Sequence, residues 1–256
     1  MRYSAGARGH RLSERHREPG VTDATPTGGF RVRAELGWAV LILALTAALA
    51  LRYYPAAVPD RSAWAYWSMA LASVVLLLAS VLLHELAHSV VAERFGVRSR
   101  GITLLLLGAR TEMSGMLPHP FAEALMAIAG PAANVVLALS CAVVLRLTTG
   151  LGAELPTAVL AFGMLANALL ALINVMPVYP LDGGRIVRAI LWLRTGTLPE
   201  ATRQAALIGI LVSAVVAAGG VTLYVAGRTI EGVLAFSIGV YLYVRARSAM
   251  RAARQG

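Results

Sequence analysis

The chain has little of the charge with which a soluble domain covers its surface. Only 14% of its 256 residues are charged and 58% are hydrophobic, and lysine is absent. This composition excludes an ordinary globular domain and indicates a polytopic membrane protein. The net charge of +10 is the difference between 23 arginines and 13 acidic residues. Because the arginines lie in the N-terminal tail and between apolar runs, as topology determinants do, no nucleic-acid partner is expected.

Cysteine is almost absent too. Cys141 is the single cysteine, so an intramolecular disulfide is excluded. Since this residue lies within an apolar run, it is interpreted as a small packing side chain.

Hydropathy divides the chain into six apolar segments, each near the roughly 20 residues that a helix needs to cross hydrocarbon. The predicted spans are 36–54, 67–93, 121–147, 155–176, 205–226 and 230–247. Residues 1–33 are interpreted as a disordered basic cytoplasmic tail, 34–247 as the membrane domain and 248–256 as a short basic cytoplasmic tail. The expected fold class is therefore an all-α polytopic membrane protein with about six transmembrane helices.

The arginines also predict the orientation of these spans. With both termini in the cytoplasm, 19 of the 23 arginines fall on the cytoplasmic side. This asymmetry favours a multi-pass protein of the plasma or inner membrane with both ends in the cytoplasm.

A metal-binding pattern, HELAH, occupies residues 84–88 within the second predicted span. His84 and His88 are four residues apart, so both imidazoles lie on one helix face and can share a zinc ion. Glu85 then lies beside the metal-bound water, which it is expected to activate as a general base. Counting from Arg94 at the cytoplasmic end, His84 is predicted at a depth of about 15 Å.

The third protein ligand of such a site must come from elsewhere in the chain. Asp182 is the best candidate, because it follows a proline-containing, helix-breaking segment at the same end of the membrane as His88. Glu112 and Glu123 remain alternatives from the residues alone. His119, between two prolines, is interpreted mainly as a loop histidine.

The segment 97–115, between the second and third spans, is predicted to form short strands or a re-entrant hairpin. A plain interfacial loop is the alternative, since short apolar runs do not separate strand from helix. A strand here would offer an edge to which an extended substrate could add.

Two motifs together resemble those of the site-2 protease family of intramembrane zinc metalloproteases. The first is HELAH, and the second is NVMPVYPLDGG at residues 174–184. AGPAAN at residues 129–134 resembles a further family element. The resemblance covers about residues 30 to 195, and it suggests a minimal bacterial or archaeal-type member without PDZ or CBS domains.

The resemblance implies roles for particular residues. His84, His88 and Asp182 would bind one zinc ion per chain, and Glu85 would activate water. Asn174 would hold the substrate backbone or stabilise the oxyanion, although a hydrogen bond between helices is also open for it. Asn134 and Asn167 are interpreted as polar links between helices.

The expected function is zinc-dependent hydrolysis of a peptide bond in or near a transmembrane segment of another membrane protein in the lipid bilayer. Two alternatives belong to other classes. One is a catalytically silent membrane chaperone or binding protein, against which the intact Glu85 argues. The other is a metal transporter, which would need donors along a path, whereas here they converge on one point.

Overall fold

Helices make up most of the protein. The computed structural model describes residues 31–34, 36–105, 108–148 and 154–253. Within them the helices are α1 (Leu36–Ala48), α2 (Tyr54–Ala57), α3 (Ala63–Arg94), α4 (Pro120–Thr148), α5 (Glu154–Val175), α6 (Asp182–Thr195), α7 (Leu198–Val225) and α8 (Thr229–Ala252). A π-helical turn, Leu49–Tyr53, joins α1 to α2. The strands are β1 (Arg31–Ala34), β2 (Ser99–Leu105) and β3 (Gly108–Met113).

Six segments of the described chain are long and apolar enough to cross a membrane, as the sequence predicted. They are Gly37–Ala57, which runs from α1 to α2, and the helices α3, α4, α5, α7 and α8. The fifth span begins at Leu198 rather than at 205. Glu200 and Arg203 lower the hydropathy of its first turns without interrupting the helix.

Apolar side chains cover the outside of the helices. On α3, Leu83, Leu86 and Val90 are 43–45% exposed, whereas His84 and His88 on the same helix are buried. This distribution suits a lipid environment on one face and a polar interior on the other. Helix contacts inside the protein use small residues, among them the fully buried alanines of α4 and α7.

Local sequence signals set several helix ends. Ser62 caps α3, because its side chain accepts a hydrogen bond from the backbone N–H of Ala65 at 3.3 Å. Gly196 ends α6 in the left-handed conformation, with φ of 72°. Thr197 then precedes α7, whose first turn contains Pro199.

The chain between α5 and α6 is not helical, as the two prolines predicted. Val175 ends α5 and Asp182 begins α6, and the Tyr179–Pro180 peptide bond between them is cis. The first turn of α6 packs directly under this segment. A Cβ on Gly183 would overlap the carbonyl oxygen of Met176, and one on Gly184 would overlap the backbone of Tyr179. Glycine at these positions therefore lets Asp182 reach the helix bundle.

The segment 97–115 forms strands, one of the two predicted outcomes. β2 pairs antiparallel with β3 and parallel with β1, so the sheet order is β1-β2-β3. Because β2 has a partner on both sides, an added strand would have to pair with β1 or β3. β1 includes residues 31–33, which the sequence assigned to the tail, and α8 likewise continues through residue 252 of the segment assigned as the second tail. Residues 1–30 and 254–256 of those tails lie outside the described residues.

Candidate metal centre

Three donor atoms converge at the middle of the helix bundle. Nε2 of His84 and Nε2 of His88 lie 3.1 Å apart, and each lies 3.2 Å from Oδ2 of Asp182. All three side chains are buried. We call His84, His88 and Asp182 the donor triad. It is the group of metal-ligating residues found within the described part of the chain.

Two helices supply the donor triad. His84 and His88 lie one turn apart on the inner face of α3, ten and six residues before its last residue, Arg94. Asp182 is the first residue of α6 and reaches them because the chain breaks after α5. A helix that continued past Val175 would keep Asp182 away from the site, so the prolines and glycines of this segment position the carboxylate.

The hydrogen bond made by His88 fixes which ring nitrogen faces the donor triad. Its Nδ1 lies 2.7 Å from the backbone oxygen of Met126 on α4. A carbonyl oxygen can only accept, so the Nδ1–H must donate. In the neutral ring Nε2 then carries a lone pair. This tautomer, protonated at Nδ1, can bind a metal through Nε2.

His84 is fixed by a longer chain of buried amides. Asn167 Nδ2 donates to the backbone oxygen of Gly163 at 2.9 Å, which forces its Oδ1 to face Asn134. Asn134 Nδ2 donates to that oxygen at 2.9 Å, and its own Oδ1 accepts from Nδ1 of His84. We call Asn134 and Asn167 the asparagine relay. It presents the lone pair of Nε2 of His84 to the donor triad.

The asparagine relay also links the helices to one another. Asn134 and Asn167 are at most 1% exposed, and a second Nδ2 hydrogen bond of Asn167 reaches the Ser80 hydroxyl on α3 at 3.0 Å. The sequence interpreted these asparagines as polar links between helices. The structure adds contact with a donor-triad imidazole, which their spacing along the chain could not reveal.

The donor triad fits a zinc ion by its chemistry. Two imidazole lone pairs and a carboxylate oxygen face one another, and buried Oδ2 of Asp182 accepts no hydrogen bond. Without a cation this arrangement leaves a buried polar atom unsatisfied, which is costly. Tetrahedral zinc with bonds of about 2.0–2.1 Å would hold its ligand atoms about 3.3–3.4 Å apart. The measured separations of 3.1–3.2 Å are close to that value.

Gly130 on α4 leaves room beside the donor triad. A Cβ at this position would lie 2.6 Å from Nε2 of His84 and would overlap Nε2 of His88 as well. The sequence assigned Gly130 and Pro131 to close packing and a bend. The structure shows that the missing side chain is what keeps the imidazole nitrogens accessible.

The two predicted catalytic residues lie on different helices, α3 and α5. Glu85 follows His84 directly on α3 and is half-buried. Asn174 is half-buried near the end of α5, where its Nδ2 donates to the backbone oxygen of Leu170 at 2.9 Å. In this conformation the amide group is bonded within its own helix rather than to the donor triad.

The other candidates have different surroundings. His119 accepts a hydrogen bond from the backbone N–H of Ala122 at 3.1 Å and so caps the start of α4. Glu123 is paired with Arg188 and does not join the donor triad. The side chain of Glu112, in β3, lies outside what the structure describes.

An ion pair beneath the donor triad was not foreseen from the sequence. Glu123 on α4 is 1% exposed, and Arg188 on α6 donates to its Oε1 through Nε at 2.6 Å and through a second guanidinium nitrogen. Arg188 also donates to the hydroxyl of Tyr179 at 2.7 Å. The pair therefore ties α6 and the segment before Asp182 to α4.

Comparison with known proteins identifies the family. The model of peptidase family M50 matches residues 72–159 and 151–218, which together exceed half of the chain. This chain belongs to peptidase family M50. The predicted membership of the site-2 protease family is thereby confirmed.

Individual relatives agree with this assignment. Rip3 of Mycobacterium tuberculosis, assigned by name to the zinc metalloproteases, is 39% identical over 233 residues, covering 89% of this chain and 58% of Rip3. A zinc metalloprotease of Methanocaldococcus jannaschii is 37% identical over 136 residues, covering 53% of this chain and 38% of its own length. This chain thus spans less than two thirds of these relatives.

A solved structure shares the fold. The site-2 protease from Methanocaldococcus jannaschii superimposes with a TM-score of 0.58 at 25% sequence identity. The match covers 87% of this chain and 91% of that one. The two chains therefore share a fold over most of their length.

Proposed function

We propose that this chain is a zinc-dependent intramembrane endopeptidase that hydrolyses a peptide bond in or near a transmembrane segment of another membrane protein. The observation that carries the proposal is the convergence of the donor triad, two of whose members, His84 and His88, lie within a membrane-spanning helix with Glu85 next to His84. Membership of peptidase family M50 supports it.

In this proposal His84, His88 and Asp182 hold one zinc ion per chain. The chemistry that zinc supplies when bound is to lower the pKa of a water and to polarise a peptide carbonyl. The hydrogen bonds behind the imidazoles support the assignment, because the carbonyl of Met126 and the amide of Asn134 orient both rings toward one point.

Glu85 is the general base of the proposed reaction. Its carboxylate takes a proton as the water oxygen bonds to the carbonyl carbon, and it returns that proton to the amide nitrogen as the C–N bond breaks. The products are a new carboxylic acid and a new amine, and transfer of the acid proton to the amine gives a carboxylate and an ammonium group. Asn174 would donate from Nδ2 to the developing oxyanion, which requires that Nδ2 leave its hydrogen bond to Leu170.

The substrate must change shape before this reaction can occur. A helix hides its peptide carbonyls in its own hydrogen bonds, so a transmembrane substrate has to unwind beside the donor triad. Pairing of the unwound segment with β1 or β3 would satisfy its backbone groups. The arginine distribution supports an orientation with both termini in the cytoplasm, which puts the donor triad nearer the cytoplasmic side.

A catalytically silent binding protein and a metal transporter are the competing functions. A silent binder has no need of a carboxylate next to the first histidine, yet Glu85 is present. A transporter needs several successive donor sites. Within the described residues the donor triad is the single cluster of this kind.

The test compares cleavage of a transmembrane reporter by the purified native protein and by Glu85→Gln, with the zinc content of both measured. We expect about one zinc per chain in both proteins and cleavage by the native protein alone. Glu93→Gln, an exposed change on the same helix, is the matched control and should cleave normally. Zinc in both proteins with equal cleavage, or no zinc in the native protein, would overturn the proposal.

A further inference from the structure

The interface between α4 and α6 is built in three levels below the donor triad. At the first level Gly130 of α4 faces the imidazoles, which contact Asp182 of α6. At the second level Met126 faces Arg185, and at the third Glu123 pairs with Arg188. Residues three or four apart on a helix share a face, so each level lies about one turn, or about 5 Å, from the next.

The second level differs from the third in that its guanidinium, on Arg185, has no carboxylate partner among the described residues. Arg185 donates at 3.6 Å to the sulfur of Met126, which is a weak acceptor. Its Nε is buried and has no hydrogen-bond partner. Among the described residues no carboxylate pairs with this guanidinium, whereas Arg188 one turn away has Glu123. Leaving such a donor buried and unpaired is costly.

Arg185 borders a cavity of about 180 Å³. Its lining includes Met113, Glu123, Met126, Arg185, Arg188 and Trp192. Because Glu123 and Arg188 neutralise each other, the lining keeps one positive charge, on Arg185, among mostly apolar side chains. The cavity is lined by residues of α4, α6, the start of α7 and the segment after β3.

We infer that Arg185 and this cavity form a subsite for a carboxylate of the bound peptide, one helical turn from the donor triad. An arginine guanidinium binds a carboxylate through parallel N–H donors, and it does so best where water is excluded. The carboxylate is either an acidic side chain beside the scissile bond or the new C-terminus formed by cleavage. This inference rests on the proposed function for the identity of the peptide.

The test measures binding without hydrolysis. Trp192 is made the only tryptophan by changing Trp38, Trp64 and Trp67 to Phe in a Glu85→Gln background, and its fluorescence reports binding at the cavity. The first two probes are an alanine-leucine peptide with both ends blocked and one Asp, and the same peptide with Asn. The other two are an N-terminally blocked peptide without ionisable side chains, with either a free or an amidated C-terminus. If the Asp peptide has a lower Kd than the Asn peptide, the subsite binds an acidic side chain. If the peptide with the free C-terminus has a lower Kd than the amidated one, the subsite binds the C-terminus of the product.

We expect at least one carboxylate probe to bind about tenfold more tightly than its neutral partner, as for a charge-assisted hydrogen bond. Arg185→Gln should abolish this difference and Arg185→Lys should keep part of it. Arg194→Gln, an exposed change on the same helix, should leave it intact. The thermal unfolding midpoint and the zinc content verify that each variant is folded.

Equal Kd values for charged and neutral probes would overturn the inference, even if Arg185→Gln failed to fold, because that comparison needs no Arg185 variant. A preference that persists in folded Arg185→Gln would overturn it too. Failure of the proposed function is distinguishable. If only the proposed function is wrong, the native protein does not cleave the reporter but still prefers the carboxylate probes. If only the subsite inference is wrong, the native protein cleaves the reporter and shows no such preference.

Discussion

Removal of the Asn134 amide should weaken zinc binding. In Asn134→Leu, Nδ1–H of His84 loses its acceptor and Oδ1 of Asn167 loses its donor. The imidazole is then free to rotate or to change tautomer. Loss of such a supporting hydrogen bond lowers metal affinity by about 10–100-fold, or by about 1.4–2.8 kcal/mol of binding free energy.

The same substitution should also lower the stability of the zinc-free protein. Two buried polar groups become unpaired, at about 1–3 kcal/mol each. Asn167→Leu should cost comparable stability but less zinc affinity, because Oδ1 of Asn134 can still accept from His84. The contrast between the two variants separates support of the imidazole from simple linkage of helices.

The assay is zinc affinity by chelator competition in detergent, together with the thermal unfolding midpoint of the zinc-free protein. Ser140→Ala, an exposed position on the same helix whose hydroxyl bonds within that helix, is the control and should change neither. If folded Asn134→Leu bound zinc within twofold of the native affinity, the asparagine relay would only link helices. Asn134 would then not orient the His84 imidazole for zinc binding.

Three further predictions concern the surroundings of the donor triad. Gly130→Ala should abolish stoichiometric zinc binding, measured by metal analysis, because its Cβ would lie 2.6 Å from Nε2 of His84; normal zinc content would contradict this. Arg188→Met should lower the free energy of unfolding by about 3–5 kcal/mol, since it leaves Glu123 charged and buried. The exposed ion pair of Arg203 with Glu200 should by contrast contribute little to the free energy of unfolding measured by chemical denaturation. Removal of zinc should lower the stability of the native protein by about 2.7 kcal/mol relative to zinc at 100 times Kd, and an unchanged midpoint would argue against a bound ion.

The sequence predicted those features that short segments determine. A hydrophobic run of sufficient length specifies a spanning helix whatever its neighbours are, and the four-residue spacing of His84 and His88 fixes their common face. The break before Asp182 was predictable from the two prolines. These local signals were enough to predict the six spans and to nominate the three residues that the structure brings together.

Features that depend on distant parts of the chain were not predictable. The pairing of β1 with β2 joins residues about seventy positions apart, and Glu123 meets Arg188 65 residues away. The role of Gly130 depends on which helix faces it. Helix α6 was missed because 14 residues with several arginines resemble a polar loop when only apolar spans are sought.

The most direct test of the proposed activity is to map the cleaved bond in a transmembrane reporter reconstituted with the protein in liposomes. Mass spectrometry of the products identifies the bond. We predict cleavage within or at the edge of the spanning segment, dependent on zinc and absent in Glu85→Gln that retains zinc. Cleavage confined to a loop outside the membrane, or cleavage that survives either zinc removal or Glu85→Gln, would contradict an intramembrane reaction at the donor triad.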